Sequence, residues 1–354
     1  MSWLSGWSEM ERSVLSLSGE GSSGGEDFGS ERHFVSFASQ ERTVGILAQK
    51  ISNSHFDSIS DTILARNVMA LSQAGDLLSS LGPEIIPLKG LYLIDRFYKM
   101  GERDLGDLDL LIRRERVVEV VSFLEKEGYH PSVPLEKVFG GGGSYLNSVS
   151  LHQESCFPIH LHWHVINASL PLFMVRIPVE ELWDESRSSL VAGAPVRALA
   201  PHHLLVTVAE HSLKHSYETL IHLVDIDRIV RSGVDLPRSF SCARRWGVEE
   251  SLQIGLYLCS RMLGTPVEVG MPKGILARMI IHSVRKNRRW GGIGSLGYLS
   301  MAKGVRQKIR FLWGTFFPPS EEVHSFGKTS GLHRVLSRGW RAILGGRRLL
   351  GGKP

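Results

Sequence analysis

Two short runs in this chain carry groups suited to phosphate and metal chemistry. They are Pro87-Leu88-Lys89-Gly90 and, beyond a helical stretch, Arg103-Asp104-Leu105-Gly106-Asp107-Leu108-Asp109-Leu110-Leu111-Ile112. Side chains on a strand alternate between its faces, so Asp107 and Asp109 point one way and leave Leu108, Leu110 and Ile112 for the core. Two hard oxygen ligands side by side suit Mg²⁺. Lys89 offers a point charge of the kind that holds phosphate. Gly90 lets backbone approach phosphate oxygens, and the N–H groups opening the next helix add partial positive charge. Taken alone, Lys89 also reads as a surface lysine at a strand end, and a lone Asp-x-Asp means little. The ordered set is more specific.

Followed by a helix that closes at Gly128-Tyr129, this order resembles the uncharacterised nucleotidyltransferase family, part of the DNA polymerase β-like nucleotidyltransferase superfamily. The likeness is strongest over residues 85–164 and extends more loosely to Arg231. It implies an α/β (α+β) fold, with a nucleotidyltransferase-type mixed sheet and flanking helices, followed by a mostly helical C-terminal domain. The implied reaction is Mg²⁺-dependent transfer of a nucleoside monophosphate, AMP from ATP, to a hydroxyl on a small molecule, a saccharide precursor or a peptide. Asp107 and Asp109 would be the catalytic metal ligands. Lys89, Gly90 and Arg103 would contact the nucleotide phosphates, with Arg103 alternatively a structural partner of Asp104 or Asp107. The family places a third acid two residues before a His-Trp pair. His162-Trp163 matches, and the acid position holds His160. His160 would then be an altered third catalytic and metal ligand, and its nitrogen tilts the site toward Mn²⁺ or Zn²⁺. Glu154 and Glu210 are the carboxylates that could replace the missing acid.

Two other readings follow from the same residues. Loss of the third acid fits a nucleotide-binding or regulatory protein with weak or no turnover. On a strand, His160, His162 and His164 share a face, which would suit a three-imidazole zinc site and a zinc-dependent hydrolase, although His162 and His164 also read as satisfied, half-buried histidines. A second Asp-x-Asp, Asp225-Ile226-Asp227, sits in helical periodicity, where residues two apart diverge by about 200°. It therefore reads as structural, with Asp225 pairing an arginine. His211 and His215 lie one turn apart without the Glu that a His-Glu-x-x-His base needs. With Lys214 beside them they suggest a solvated or substrate-facing surface.

The elements that must position these groups are legible in the periodicity. A helical pair is expected over Val44 to Leu81, with Asp61 as an N-cap, then a strand over Glu84 to Leu88 and a helix over Leu91 to Met100. Asp107 to Ile112 should be a strand, Arg116 to Glu127 a helix, and Tyr129 to Pro134 extended. Gly140 to Gly143 reads as a loop before strands around Ser148 to His152 and Ile159 to Ile166. Helices follow over His202 to His215, Thr219 to Ser232, Val248 to Leu263 and Lys273 to Arg289. The domains expected are a disordered leader over 1–43, a nucleotidyltransferase-like domain over 44–188, a helical domain over 189–302 and a basic amphipathic tail over 303–354.

The chain has 354 residues, 42% of them hydrophobic, ample for a core without staples. Three irregularly spaced cysteines exclude a disulfide framework and a zinc ribbon, and fit a reducing cytoplasm. Neither a signal peptide nor a membrane span is expected. The net charge of +5 resides in the tail, where eleven Lys/Arg from Lys303 onward face only Glu321 and Glu322. Its amphipathic pieces, Val305 to Trp313 and Leu332 to Leu344, could pack on the helical domain, lie on an acidic membrane surface as a peripheral contact, or meet nucleic acid.

Overall fold

The apolar run around Leu108 forms an inner strand of a five-stranded mixed sheet in the computed structural model, which describes residues 4–19, 32–51, 54–139, 147–166, 177–287, 299 and 304–316. The strands are β1 (Ile86–Pro87), β2 (Leu108–Leu111), β3 (His130–Pro131), β4 (Ser148–His152) and β5 (Ile159–His162), in the order β1-β2-β5-β4-β3. β2 and β5 run parallel, with Asp109 opposite His160 and Leu111 opposite His162. The other pairings are antiparallel. All four residues of β2 are buried, as a central strand covered on both faces requires.

Helices α1 (Glu9–Ser18), α2 (Arg32–Gln40), α3 (Val44–Ala48) and α4 (Ser54–Leu81) precede the sheet. α5 (Lys89–Phe97), α6 (Val117–Lys126) and α7 (Leu135–Phe139) connect its strands. α8 (Val179–Asp184) leads to a hairpin, β6 (Arg187–Val191) and β7 (Ala194–Ala198), which turns through Ala192 and Gly193, both at positive φ. Such a pair of residues is what a two-residue primed turn demands. A helical half follows: α9 (Pro201–Lys214), α10 (Ile221–Arg231), α11 (Leu236–Trp246), α12 (Glu249–Met262), α13 (Ile275–Arg285) and, further on, α14 (Val305–Phe316).

The alternation read from the sequence is realised. Leu108, Leu110 and Ile112 bury into one apolar cluster with Ala74 and Leu78 of α4, Val121 of α6 and Leu161 of β5. Leu111 joins the other cluster, built largely from α9, α10 and α12. The Asp109 face of β2 is therefore the face turned toward the helical half.

Several expectations need correction. The supposed leader over 1–43 contains α1 and α2. A capping box between Ser8 and Glu11 starts α1, and Trp7, Val14, Leu15, Leu17, Phe34 and Ala38 are core residues, so this segment buries apolar surface that its Ser/Gly-rich middle cannot. Residues 20–31 lie outside the described residues. Asp61 is no N-cap, because α4 begins at Ser54 and runs 28 residues. The β6–β7 hairpin and α11 had no counterpart in the periodicity. The Gly140 to Gly143 loop and the Leu332 to Leu344 piece lie outside the described residues. Among those described, no helix is long and apolar enough to cross a membrane.

Candidate active site

The site begins where β1 hands over to α5. Leu88 N–H donates to the Asp109 carbonyl at 2.9 Å, which registers the turn against β2. Lys89 follows with φ +45°, the left-handed region that a non-glycine residue occupies at a cost of about 1–3 kcal/mol. That conformation brings Lys89 Nζ to Asp109 Oδ1 at 2.7 Å.

Asp109 is 4% exposed and receives three nitrogen groups on one oxygen. Besides Lys89, His162 Nε2 donates to Oδ1 at 2.6 Å, and His160 Nδ1 stands 3.4 Å away across the parallel register. Burial alone would raise the Asp109 carboxyl, yet the Lys89 charge and the bonds from His160 and His162 hold it well below its usual range. His162 is fully buried, and burial together with Lys89 pushes it down to about 3. It is a neutral donor to Asp109 at neutral pH, and its Nδ1 has no hydrogen-bond partner.

Asp107 behaves differently. Among the described residues it makes no hydrogen bond or ion pair. Burial raises its carboxyl above the usual value and the neighbouring Asp109 charge adds to this, against Lys89, His160 and Arg42. At this site the ligand atoms that lie within 4.8 Å of one another belong to Asp109, His160 and His162. His162 thus stands in that set in the place expected for Asp107.

His160 shares a hydrogen bond with Ser148 Oγ at 3.0 Å from Nε2. His164 turns away: its Nε2 donates to the Ile177 carbonyl at 3.1 Å and its Nδ1 accepts from Ile166 N–H at 3.0 Å. The three-imidazole zinc face is therefore not assembled. Of the two carboxylates considered as replacements, Glu154 is exposed beyond β4 and Glu210 is buried on α9.

Gly90 and Arg103 have structural uses. A Cβ on Gly90 would lie 2.6 Å from Leu105 Cδ1 and 2.9 Å from Arg103 Nη1. The residue is buried, and its lack of a side chain lets those two side chains pack over the turn. Arg103 is directed to neither Asp104 nor Asp107 through its side-chain charge. Its Nε and Nη2 form a bidentate pair with Asp225, at 2.8 and 2.9 Å, and Nη1 donates to the Asp104 carbonyl at 3.3 Å. Tyr98 Oη donates to the same Asp225 at 2.6 Å. Asp225 is thus the arginine-paired, structural residue that its helical spacing implied, and Asp227 is held by Arg231 and Thr265.

The helical half supplies a second wall. His211 and Lys214 of α9, His215 at its C-cap and His222 of α10 gather there, with ring centroids 4.5 Å apart for His211 and His215 and 5.6 Å apart for His215 and His222. Lys214 feels Lys89 and Asp109 across the gap, and its ammonium is lowered by burial against the pull of Glu210. Burial, then Lys214 and Lys89, push His215 down to about 4. Arg42, exposed and at φ +58°, acts electrostatically on Asp107, His215 and His222. An acidic, metal-capable corner therefore faces Lys89, Lys214 and Arg42. Arg42 had no sequence signal, and the His-x-x-Lys-His spacing at the end of α9 indicated a face without saying what it meets. A separate cleft of about 640 Å³ between α4, α6 and the turn at Gln153–Phe157 contains none of these residues.

Comparison with curated proteins gives no match. A family model described as uncharacterised nucleotidyltransferase matches residues 32–264, well over half of the 354. That stretch runs from α2 to the end of α12, so sheet and cationic wall fall within it together, and the chain belongs to the uncharacterised nucleotidyltransferase family.

Proposed function

We propose that this protein transfers a nucleoside monophosphate, AMP from ATP, to an acceptor hydroxyl, with Mg²⁺ held by Asp107 and Asp109. The observation that carries the reading is Asp109, a buried carboxylate kept ionised by Lys89 beside an unpartnered Asp107 and opposite a wall of cations. The donors fit that ion. Mg²⁺ takes one or two carboxylates and completes its shell with water and substrate phosphates; Asp107 has no partner among the described residues, and the contacts to Asp109 fall on Oδ1. When bound, the ion neutralises charge on the phosphoryl oxygens. His160 is an added nitrogen donor that makes Mn²⁺ a substitute.

Lys89, Lys214 and Arg42 hold the triphosphate, and neutral His211 and His215 offer hydrogen bonds beside it. The acceptor oxygen bonds to the α-phosphorus, the bond to pyrophosphate breaks in line with it, and the hydroxyl proton passes to water. The acceptor is a small molecule, a saccharide precursor or a peptide side chain. A cytoplasmic setting, favoured by three free cysteines, belongs to the same proposal. So does peripheral membrane contact through the basic tail, where α14 leaves Val305, Ile309 and Leu312 exposed beside Arg306 and Lys308.

A second reading, nucleotide binding without turnover, is favoured by His160 in the third acid position. Pyrophosphate release from each of four nucleoside triphosphates, with Mg²⁺ or with chelator, tests both. Release that requires the ion and disappears in Asp107→Asn supports transfer. Tight binding with no release over long incubation across an acceptor panel would replace it with the second reading.

A further inference from the structure

A second set of metal-ligating side chains lies at the other end of α9, where α8 and α11 meet it. His202 and His203 open that helix, and on α11 the residues Arg238, Cys242, Arg245 and Trp246 share one face by helical spacing. His202, His203 and Cys242 are all buried, with one ligand atom of each within 4.8 Å of the others. Glu181 and Glu185 form a second such group around His203.

The unexplained residue is His203. It is 0% exposed, its ring stacks on Trp246 at 4.9 Å, Nδ1 has no hydrogen-bond partner, and Nε2 has only a long contact with Glu181. A buried polar atom left unpaired costs about 1–3 kcal/mol, so this imidazole needs a reason. The neighbouring carboxylates supply it only in part, at Nε2. Glu181 Oε1 stands 3.5 Å from His203 Nε2 and is engaged by Arg245, while Glu185 Oε2 stands 3.4 Å from His202 Nε2 and accepts from Arg238 at 2.6 Å.

We propose that His202, His203 and Cys242 bind a structural Zn²⁺, with a carboxylate of Glu181 or Glu185 as the fourth ligand. A tetrahedral site with Zn–N near 2.0–2.1 Å and Zn–S near 2.3 Å sets its ligand atoms about 3.3–3.6 Å apart. The separations of 3.5 Å from His203 to Glu181 and 3.4 Å from His202 to Glu185 are each of that size, and one of the two would serve as an edge. Thiolate and imidazole donors select zinc over the hard cations suited to Asp107 and Asp109. Residues 203 and 211 are about 12 Å apart along α9 at 1.5 Å per residue, so this site is separate from the catalytic wall. Its effect would be to pin α8, α9 and α11 together and so fix the direction in which α9 presents His211 and Lys214.

Elemental analysis of the full chain, after dialysis against metal-free buffer, is expected to give one zinc per chain. That zinc should be lost in Cys242→Ser and in His203→Gln and kept in His160→Ala, which touches only the catalytic histidines. Replacing zinc with Co²⁺ in the unmutated protein should produce a thiolate-to-cobalt charge-transfer absorption, a readout independent of whether the variants fold. A wild-type chain that neither carries zinc nor takes it up when one equivalent is added overturns the proposal. So does zinc retained by both variants, or a cobalt spectrum lacking the thiolate band. Nucleotide turnover enters none of these outcomes, so they stand apart from the catalytic reading.

Discussion

Asp107, just before β2 rather than on it, and Asp109, within it, lie two positions apart yet meet opposite electrostatic fates. Burial drives both carboxyls up, but Asp109 is rescued by Lys89 and two imidazoles while Asp107 has the Asp109 charge added against it. Substitution should separate them. Asp107→Asn removes a repelled charge that contributes no contact, so transfer should vanish while the melting temperature stays within a few degrees; unchanged pyrophosphate release would refute its role. Asp109→Asn also strips Lys89 of its counter-ion, and breaking a buried pair costs about 3–5 kcal/mol, which urea denaturation would read directly. His160→Asp places beside Asp109 the acid that the resemblance leads one to expect. Like charges there should lower the melting point of the metal-free protein, and added Mg²⁺ should restore it by more than it stabilises the wild type. Mg²⁺-dependent activity should be kept or raised, and a clear loss would assign the imidazole a role of its own.

At the scale of elements, the loop between α5 and β2 is fastened to α10 by a buried ionic network. Arg103 pairs with Asp225, Tyr98 donates to the same carboxylate, and Arg228 lies 4.0 Å over the Tyr98 ring while pairing with Glu102 at 2.6 Å. Burial pushes Asp225 up, but Arg103 and Tyr98 outweigh it and hold the carboxyl below its usual range. Its contribution to stability is therefore full above the unfolded-chain value of about 3.9 and lost as pH falls through the lower folded value. Asp225→Asn should cost about 3–5 kcal/mol near pH 7, and the gap from wild type should close in acid; a constant gap across that range would mean the pair is not ionic. The network also explains what the sequence could and could not reveal. Leu108 to Ile112 announced a strand because period two is a local property, and Asp225 announced itself as structural because two carboxylates on one helix diverge. That the partner would be Arg103, 122 residues away, depends on how α10 docks, which no local period encodes. The hairpin of β6 and β7 escaped notice for a related reason: its strands are five residues each, and four of the five β6 residues are not buried, so no apolar alternation survives.

For the whole molecule, the consequence of the proposed reading is that neither half holds a complete site. The sheet supplies Asp107, Asp109, His160 and Lys89, and the helical half supplies Lys214 with His211 and His215. Only the first group was legible as a site, because its members lie within one motif, whereas the second becomes part of it through packing. Lys214 is the decisive probe. Its ammonium is lowered by burial against the pull of Glu210, and the like charge of Lys89 adds to the lowering, an arrangement that disfavours the unliganded protein and is relieved when a polyanion enters. Lys214→Met keeps the length of the side chain and removes the charge. The dissociation constant for a non-hydrolysable triphosphate should rise at least about tenfold, near 1.4 kcal/mol, while stability toward urea stays level or increases because the burial that disfavours the ammonium outweighs the pull of Glu210. Calorimetric titration and denaturation of the same preparation give both numbers. Weakened binding with undiminished stability would make the wall a phosphate-holding surface; unchanged affinity would confine the nucleotide to the sheet and leave the cations of α9 to the acceptor.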